Sequence, residues 1–291
     1  MSKLDVKTGL VMEGGAMRGM FTAGVIDVFM ENEITFDGAI GVSAGATFGC
    51  NVKSHQIGRP IRYNCNYCKD YRYGSAKSFF KTGDLFDVEF CYHELPDKLD
   101  VFDTDTFTKN PMEFYVVATD VEAGEPVYYK CYDGKGKDIE WIRASASIPL
   151  VSNIVELDGK KLLDGGISDA VPLSYFESIG YEKNVVILTQ PDDYRKSKNK
   201  ATPLCKIVYR NYPKFVELFA NRHDRYNENV EYIRKKEKEN TAFVIRPKEK
   251  LAVKSAEKDP EKLKAAYELG RAAAIEAIEE RGLKEWIDKT I

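Results

Sequence analysis

Residues 37–49 read "DGAIGVSAGATFG" and carry Ser43 at the centre of a Gly-x-Ser-x-Gly pattern. An apolar run precedes Ser43 and a helix-like run of small residues follows it, which predicts a sharp strand-to-helix turn. Gly41 and Gly45 permit such a turn, and a serine presented on it typically attacks an acyl carbon. The stretch therefore predicts a nucleophile elbow, with an incidental serine on a glycine-rich turn as the alternative.

The residues on both sides of this turn alternate between strand and helix patterns. "TGLVMEG" (8–14) and "FDGAIGV" (36–42) are short apolar runs typical of buried parallel strands, and "MRGMFTAGVIDVFMENE" (17–33) between them has helical spacing. Strand, helix, strand and helix at this spacing predict a parallel β-α-β unit. In such units ligand chemistry is expected at the carboxyl ends of the strands.

Further strands are predicted at 113–120, 126–132, 184–191 and 241–247, and a hairpin at 154–166. A helix is predicted from Asp138 until Pro149 ends it, two helices between 203 and 240, and a long helix from Asp259 with one solvent-facing side. The aromatic segment 57–112 is less regular and is either a cap over the site or a packing excursion. The simplest organisation is one α/β domain at 7–190 with a mostly helical extension, 191–291, packed on it.

Composition limits the function classes. The chain has 291 residues and a formal net charge of -3, so no global field favours nucleic acid or an anionic membrane. The first residues lack the basic start and apolar run of a secretion signal, and no apolar run reaches the roughly 18–20 residues of a membrane span. We expect a soluble, cytoplasmic protein without a transmembrane segment, whose contact with a membrane would be peripheral.

The six cysteines are expected to be free thiols, because the chain is long and shows no secretion signal. One arrangement resembles a zinc site, since Cys65-x-x-Cys68 and Cys91-x-His93 offer three sulfurs and a nitrogen. The second Cys-x-x-Cys of common structural zinc sites is missing, so no metal is predicted.

Two further motifs carry chemistry. "EGGAMRG" (13–19) places glycines after the first strand, where free backbone N–H groups bind an anion, either a nucleotide phosphate or an oxyanion. A dinucleotide site would need a third glycine where Ala16 stands and an acidic residue where Ser43 stands, so the oxyanion interpretation is favoured. "LLDGG" (162–166) places Asp164 on a tight turn after a strand, which on its own is a common turn aspartate.

The order of "GGAMRG", "GVSAG" and "LLDGG", with "RASASIP" before the last, resembles the patatin-like phospholipase family over roughly residues 7–190. The tract "DYRYGSAKSFFKTGDLFD" resembles a bacterial branch of that family. The resemblance implies an α/β fold with a three-layer, parallel-type central sheet and flanking helices. It makes Ser43 the nucleophile and Asp164 its partner, in a dyad without histidine.

The same resemblance implies an oxyanion hole at Gly14, Gly15 and Ala16, where the family usually has a third glycine, and matches Arg18 to a possible phosphate contact. Asp164 would accept the Ser43 proton and later activate water, and partial burial should raise its pKa. The competing arrangement is a Ser43, Asp164 and His223 triad, but His223 lies in a charged helical stretch that predicts a solvated side chain.

The substrate implied by the resemblance is a lipid or other acyl ester, hydrolysed without metal or organic cofactor. Four phenylalanines of the 57–112 segment are candidates for an acyl channel, with core packing as the alternative: Phe79, Phe80, Phe86 and Phe90. Two other functions stay open, an esterase or thioesterase acting on soluble substrates and a non-catalytic protein that binds lipid or a partner.

Overall fold

A computed structural model describes residues 6–289 and places eight strands in one central sheet. The strands are β1 (Thr8–Met12), β2 (Gly38–Val42), β3 (Glu113–Asp120), β4 (Glu125–Cys131), β5 (Val155–Leu157), β6 (Lys160–Asp164), β7 (Lys183–Ile187) and β8 (Ala242–Ile245). Their order is β5-β6-β3-β2-β1-β7-β8, and β4 pairs with β3. Strands β3, β2, β1, β7 and β8 run parallel, whereas β4, β5 and β6 join by antiparallel pairing.

The helices lie on both faces of this sheet. They are α1 (Gly19–Glu31), α2 (Ala44–Lys53), α3 (Arg59–Tyr67), α4 (Ala76–Thr82), α5 (Thr104–Lys109), α6 (Lys137–Ser145), α7 (Leu173–Ser178), α8 (Thr202–Val208), α9 (Pro213–Ala220), α10 (Arg222–Lys238), α11 (Pro260–Glu279) and α12 (Leu283–Asp288). A π-helix (Phe90–Leu99) and 3-10 turns (Ala16–Arg18, Gly165–Ile167) complete the helical segments.

The alternation of side chains along β1 divides the core into two layers. Leu10 and Met12 point into a cluster with α1, α2 and α11, while Val11 points into a second cluster with α7 and α10. Because both faces of the central strands are covered, β1, β2 and β7 are almost continuously buried, and β1 and β2 are also almost continuously apolar. This confirms the expected α/β fold with a central sheet between helical layers.

The C-terminal part of the chain belongs to this core. β8 adds a parallel edge strand beside β7, and α11 packs directly on α1. That packing depends on two glycines, since a Cβ on Gly24 would lie 2.0 Å from the Tyr267 carbonyl oxygen and one on Gly270 would lie 2.0 Å from that of Phe21. The described residues of this part thus add a strand to the central sheet and a helix that packs on α1.

Several boundaries differ from the sequence prediction. Three helices, not two, lie between 202 and 238, because Pro213 begins α9 after a turn. α6 ends at Ser145, before Pro149, and the residues that follow turn toward Asp164: the Asp164 N–H donates to the Ser147 carbonyl at 2.8 Å. No helix within residues 6–289 combines the length and hydropathy that crossing a bilayer requires.

Candidate active site

The turn between β2 and α2 holds Ser43 in a strained backbone conformation, with φ of 54° and ψ of −117°. Such a conformation costs of order 1–3 kcal/mol and persists only where the surroundings enforce it. A Cβ on Gly41 would lie 2.2 Å from the Gly45 carbonyl oxygen, and one on Gly45 would lie 2.4 Å from that of Met12. The Ser43 N–H donates to Ser145 Oγ at 2.9 Å. The two motif glycines are therefore needed for close packing around the turn.

Ser43 and Asp164 are in direct contact. Ser43 Oγ donates a hydrogen bond to Asp164 Oδ2 at 2.6 Å, and the second carboxylate oxygen, Oδ1, accepts the Gly166 N–H at 2.7 Å. The backbone of Asp164 is also fixed, because its carbonyl accepts the Thr119 hydroxyl at 2.8 Å. The carboxylate is thus oriented with one oxygen held by the protein and the other on the serine.

Strand register explains why these residues meet. β4 occupies one edge of β3 along nearly its whole length, so β2 and β6 share the opposite edge. β2 runs parallel to β3 and ends where Val42 pairs with Val117, and β6 runs antiparallel and ends where Asp164 pairs with Ala118. The carboxyl ends of β2 and β6 therefore point at each other, and Ser43 follows one of them immediately.

Burial changes the acid–base behaviour of Asp164. Desolvation of the carboxylate raises its pKa above the ordinary aspartate value, against the lowering effects of the Ser43 hydrogen bond, the Arg222 charge and the Gly166 N–H. A raised pKa makes the carboxylate a stronger proton acceptor than an exposed aspartate. The burial that an aspartate needs to act as a useful base is present in the structure.

The glycine loop after β1 lies beside the nucleophile, since a Cβ on Gly14 would lie 3.1 Å from Ser43 Cβ. The Gly14 N–H donates to the Ala170 carbonyl at 3.5 Å. Among residues 6–289, no acceptor is within hydrogen-bond geometry of the Gly15 or Ala16 N–H. These two donors are thus available to a ligand at Ser43, whereas that of Gly14 is engaged.

Ala16 occupies a backbone region that glycine adopts more easily, with φ of 49°. This is the position where the sequence departs from the family's usual third glycine. Its N–H survives the change, and its side chain contributes to the walls of both cavities that open at Ser43.

Two cavities meet at Ser43. One, of about 120 Å³, is apolar and follows α2 away from the serine; it is lined among others by Phe48, Tyr63, Phe86, Leu95, Phe102, Ile139 and Ile142. The other, of about 270 Å³, is polar and is lined among others by Gly14, Gly15, Arg18, Asp164, Lys196, Arg222 and Tyr226. Ser43, Ala16 and Ile148 belong to both walls.

Sequence reasoning missed several residues of the polar cavity. The Arg222 Nε donates to the Gly166 carbonyl, and Glu13 accepts the Tyr226 hydroxyl at 2.8 Å and the Thr189 N–H at 2.5 Å. Lys196 lines the same space. Glu13 lies in the EGGAMRG motif, where it was given no role of its own, and no motif marks Lys196, Arg222 or Tyr226, although the charged stretch that contains Arg222 also contains His223.

The Ala44 N–H was missed as well. It follows the nucleophile at the start of α2, and no acceptor for it is found within residues 6–289. In strand–turn–helix hydrolases this position supplies an oxyanion donor.

His223 does not take part in this arrangement. Its Nε2 lies 3.4 Å from Asp224 Oδ1, and the walls of the two cavities, as far as the described residues form them, do not include it. The prediction of a solvated histidine is wrong, because the side chain is only 11% exposed and its Nδ1 is buried without a hydrogen-bond partner.

The four cysteine and histidine residues of the possible zinc site make other contacts. Cys65 and Cys68 Sγ donate to the carbonyls of Pro260 and Lys258, and His93 Nε2 lies 3.6 Å from Glu140. Within residues 6–289, no three His, Cys, Asp or Glu side chains are grouped as metal ligands.

The aromatic segment forms much of the apolar cavity, but only one of its four candidate phenylalanines takes part. Phe86 lines the cavity, whereas Phe90 is buried in the core, Phe79 is half-buried and Phe80 is 86% exposed. The segment therefore lies over the site, as the cap interpretation expects; Phe86 is placed where an acyl channel would need it, Phe90 follows the core-packing alternative, and the exposed Phe80 follows neither.

Comparisons with known proteins place the chain in a family. The family profile of the patatin-like phospholipases matches residues 10–177, a range that includes both Ser43 and Asp164. A second profile, of a domain of unknown function (DUF6363), matches residues 212–286.

Individual relatives match a little under two thirds of the chain. Protein YjjU of Escherichia coli K12 is 34% identical over 199 residues, 64% of this chain and 52% of YjjU. The NTE family protein Mb1092c of Mycobacterium bovis is 25% identical over 182 residues, 62% of this chain and 48% of that protein. The chain thus spans about half the length of the curated relatives it matches. The crystal structure of VipD from Legionella pneumophila aligns with a TM-score of 0.47 at 13% identity, over 94% of this chain and 67% of VipD.

Proposed function

The chain belongs to the patatin-like phospholipase family, and on this premise we propose that it is a lipid acyl hydrolase of the phospholipase A type. It cleaves a carboxylic ester through an acyl-enzyme on Ser43, with Asp164 as general base. The observation that carries this proposal is the 2.6 Å hydrogen bond from Ser43 Oγ to Asp164 Oδ2. That contact provides the proton acceptor that the serine needs, without an intervening imidazole.

In the acylation half, Ser43 Oγ attacks the ester carbonyl while its proton passes to Asp164 Oδ2. The negative charge that develops on the carbonyl oxygen is stabilised by the N–H groups of Gly15, Ala16 and Ala44, and by the N-terminus of α2. Collapse of the tetrahedral intermediate breaks the ester C–O bond, and the departing alcohol takes the proton from Asp164.

In the deacylation half, a water molecule attacks the acyl-enzyme carbonyl while Asp164 accepts the water proton. The second intermediate releases the fatty acid, and Ser43 Oγ recovers its proton from Asp164. Only protein groups move protons in this scheme, so we propose no metal or organic cofactor.

The apolar cavity is the proposed site for the acyl chain. It begins at Ser43, passes Thr47 and reaches Cys50, seven residues along α2, which corresponds to about 10 Å of helix. Its walls are mostly aromatic and aliphatic, so burial of an acyl chain there contributes roughly 25 cal/mol per Å² of apolar surface. Arg18 lies on the other side of Ser43, where we propose that it contacts the substrate phosphate.

A fluorophosphonate probe, which modifies activated serines, tests the proposed nucleophile. We expect labelling at Ser43 in the wild-type chain, located by mass spectrometry, and none in Ser43→Ala. Labelling of Asp164→Asn should be strongly slowed, while Asp133→Asn, an exposed control, should label normally. A folded wild-type chain that is not labelled would contradict the hydrolase.

The rate on aggregated substrate, compared with the rate on monomeric substrate, distinguishes a lipid hydrolase from an esterase that acts on soluble compounds. A lipid hydrolase should show a rise in rate when a short-chain phospholipid passes from monomers to micelles. A rate that depends only on total substrate concentration, with soluble thioesters or esters cleaved equally well, would favour the esterase.

A further inference from the structure

We propose that Lys196 and Arg222 complete, with Arg18, an anion subsite beside Ser43, and that this subsite selects acyl esters carrying a phosphate group close to the scissile bond. The inference rests on the proposed function and assigns its substrate class. Lys196 and Arg222 lie beyond the residues that the patatin-like profile covers, 10–177.

The three cations reach one cavity from separate parts of the chain. Arg18 follows the glycine loop, Lys196 lies in the connection after β7 and Arg222 begins α10. All three line the cavity whose wall also holds Ser43 and Asp164. A ligand that fills this space therefore meets positive charge and the nucleophile together.

The cations have no carboxylate partner among residues 6–289, where no ion pair within 4.0 Å involves them. The two carboxylates of the wall are engaged elsewhere, Glu13 with the Thr189 N–H and the Tyr226 hydroxyl, and Asp164 with Ser43 and Gly166.

The Arg18 Nε is buried without a hydrogen-bond partner. An unsatisfied buried donor is costly, so this guanidinium is held beside the cavity without its full set of hydrogen bonds.

Lys196 is held in place rather than free in solvent. Its backbone N–H and carbonyl bond the side-chain amide of Asn227 at 2.9 and 3.0 Å, and its Nζ lies 4.4 Å from the centroid of the Tyr226 ring. Two arginines and a lysine in the wall of one cavity suit a phosphate, which presents three oxygens and up to two charges, better than a carboxylate with one charge.

The cations repel one another while the subsite is empty. Burial first, and then the positive charge of Arg222, lower the pKa of Lys196 to about 8; Glu13, Arg18 and Asp164 also act on it, and Tyr194 and Tyr226 lie against it. A bound anion favours the charged lysine, so anion affinity should fall as pH rises through about 8.

Binding is tested first, by calorimetric titration of the full-length Ser43→Ala chain with glycerol 3-phosphate and, as the uncharged control, glycerol. We expect glycerol 3-phosphate alone to bind, and Lys196→Met to weaken it roughly 10- to 100-fold. Lys196→Arg should restore binding and remove the loss at pH 9. The exposed Lys198→Met is the matched control and should leave affinity unchanged.

Turnover is tested second, with two soluble esters, dibutanoyl phosphatidate and dibutanoyl glycerol. Lys196→Met should raise KM for the phosphatidate far more than it changes KM or kcat for the neutral ester, and Lys196→Arg should restore the KM for the phosphatidate. Equal effects on both esters, or unchanged glycerol 3-phosphate affinity, would overturn the subsite. An effect seen only with anionic vesicles would also overturn it, because Lys196 would then contact the membrane surface instead of the substrate.

The two proposals fail in different ways. A chain that binds glycerol 3-phosphate through Lys196 but hydrolyses no ester contradicts the hydrolase and leaves the anion subsite standing. A chain that hydrolyses both esters with no preference, before and after Lys196→Met, contradicts the subsite alone.

Discussion

The two cavities that meet at Ser43 differ in their walls and in their origin. The apolar cavity is built from α2, α6 and the aromatic segment between them, all within the range of the family profile. The polar cavity includes Lys196, Arg222 and Tyr226, which lie beyond that range.

This difference indicates a division of roles. In the proposed function, the part shared with the family supplies the nucleophile, the base, the acyl side and Arg18, while the C-terminal part adds Lys196 and Arg222, two of the three charges that meet the head group. Changes on the apolar side should therefore alter acyl-chain preference, and changes on the cationic side should alter head-group preference or the position of the base.

The largest loss of activity is expected at Arg222. This residue belongs to the anion subsite, and its Nε also donates to the Gly166 carbonyl in the turn that follows Asp164. Arg222→Met should lower kcat on neutral and phosphate-bearing esters alike, by roughly 100-fold, because small displacements of catalytic groups are that costly. Steady-state kinetics with both esters measures this, with the exposed Arg210→Met as control. An effect confined to phosphate-bearing esters would show that Arg222 does not position the base.

A smaller effect is expected at the far end of the apolar cavity, where Cys50 forms part of the wall. Cys50→Leu should reduce kcat/KM for long acyl chains about 10-fold, the scale of one or two misfitting methylenes. Two-carbon acyl chains should be unaffected, and Cys50→Ala should shift the preference toward longer chains. A loss that is the same for all chain lengths would place the acyl group elsewhere.

We expect Asp164 to be needed for activity while its buried carboxylate lowers the stability of the fold. Its pKa is raised by burial, so the folded chain binds this proton more tightly than the unfolded chain, and stability is lost as pH rises through the folded pKa. Asp164→Asn removes the buried charge and should raise Tm at pH 7 by about 2–4 °C, with a smaller gain at acid pH. Calorimetry at both pH values checks this. A lower Tm at pH 7 would mean that the carboxylate stabilises the fold.

The smallest effect on stability and activity is expected for substitution of Ala16. Its φ of 49° costs alanine roughly 1 kcal/mol, which glycine avoids at the expense of greater unfolded-state entropy. Ala16→Gly should therefore change the free energy of unfolding by less than about 1 kcal/mol. Since the N–H is retained, kcat should stay within about twofold. Urea denaturation and kinetics measure both quantities, and a large drop in kcat would show that the methyl group shapes the oxyanion site.

Local patterns were sufficient to predict the sheet and the turns that carry Ser43 and Asp164. Short apolar runs that end at a glycine or at Ser43 mark where strands stop, and the structure has the parallel strands β1 and β2 and the antiparallel strand β6 at these positions. The patatin-like family and the α/β fold inferred from those motifs are confirmed. The roles of Ser43, Asp164 and the glycine loop stay predictions that the geometry supports.

The residues that line the polar cavity could not be predicted, because a local sequence pattern does not indicate which distant residues the fold brings together. Lys196 lies in a polar connection and Arg222 in a helix whose composition indicates a solvated surface, yet α10 packs Tyr226, Val230 and Ile233 against the sheet. That packing also explains why His223 is mostly buried. In the aromatic segment, short helices and a π-helix give no sustained periodicity, so the orientation of individual phenylalanines was not predictable either.

The central claim is that Asp164 activates Ser43 without a histidine. The most direct measurement is kcat/KM for one neutral ester in the wild type, Asp164→Asn and His223→Ala, with folding matched by circular dichroism. We expect a loss of roughly 10²- to 10⁴-fold for Asp164→Asn and nearly full activity for His223→Ala. A folded His223→Ala chain as inactive as Ser43→Ala would contradict it and restore a triad.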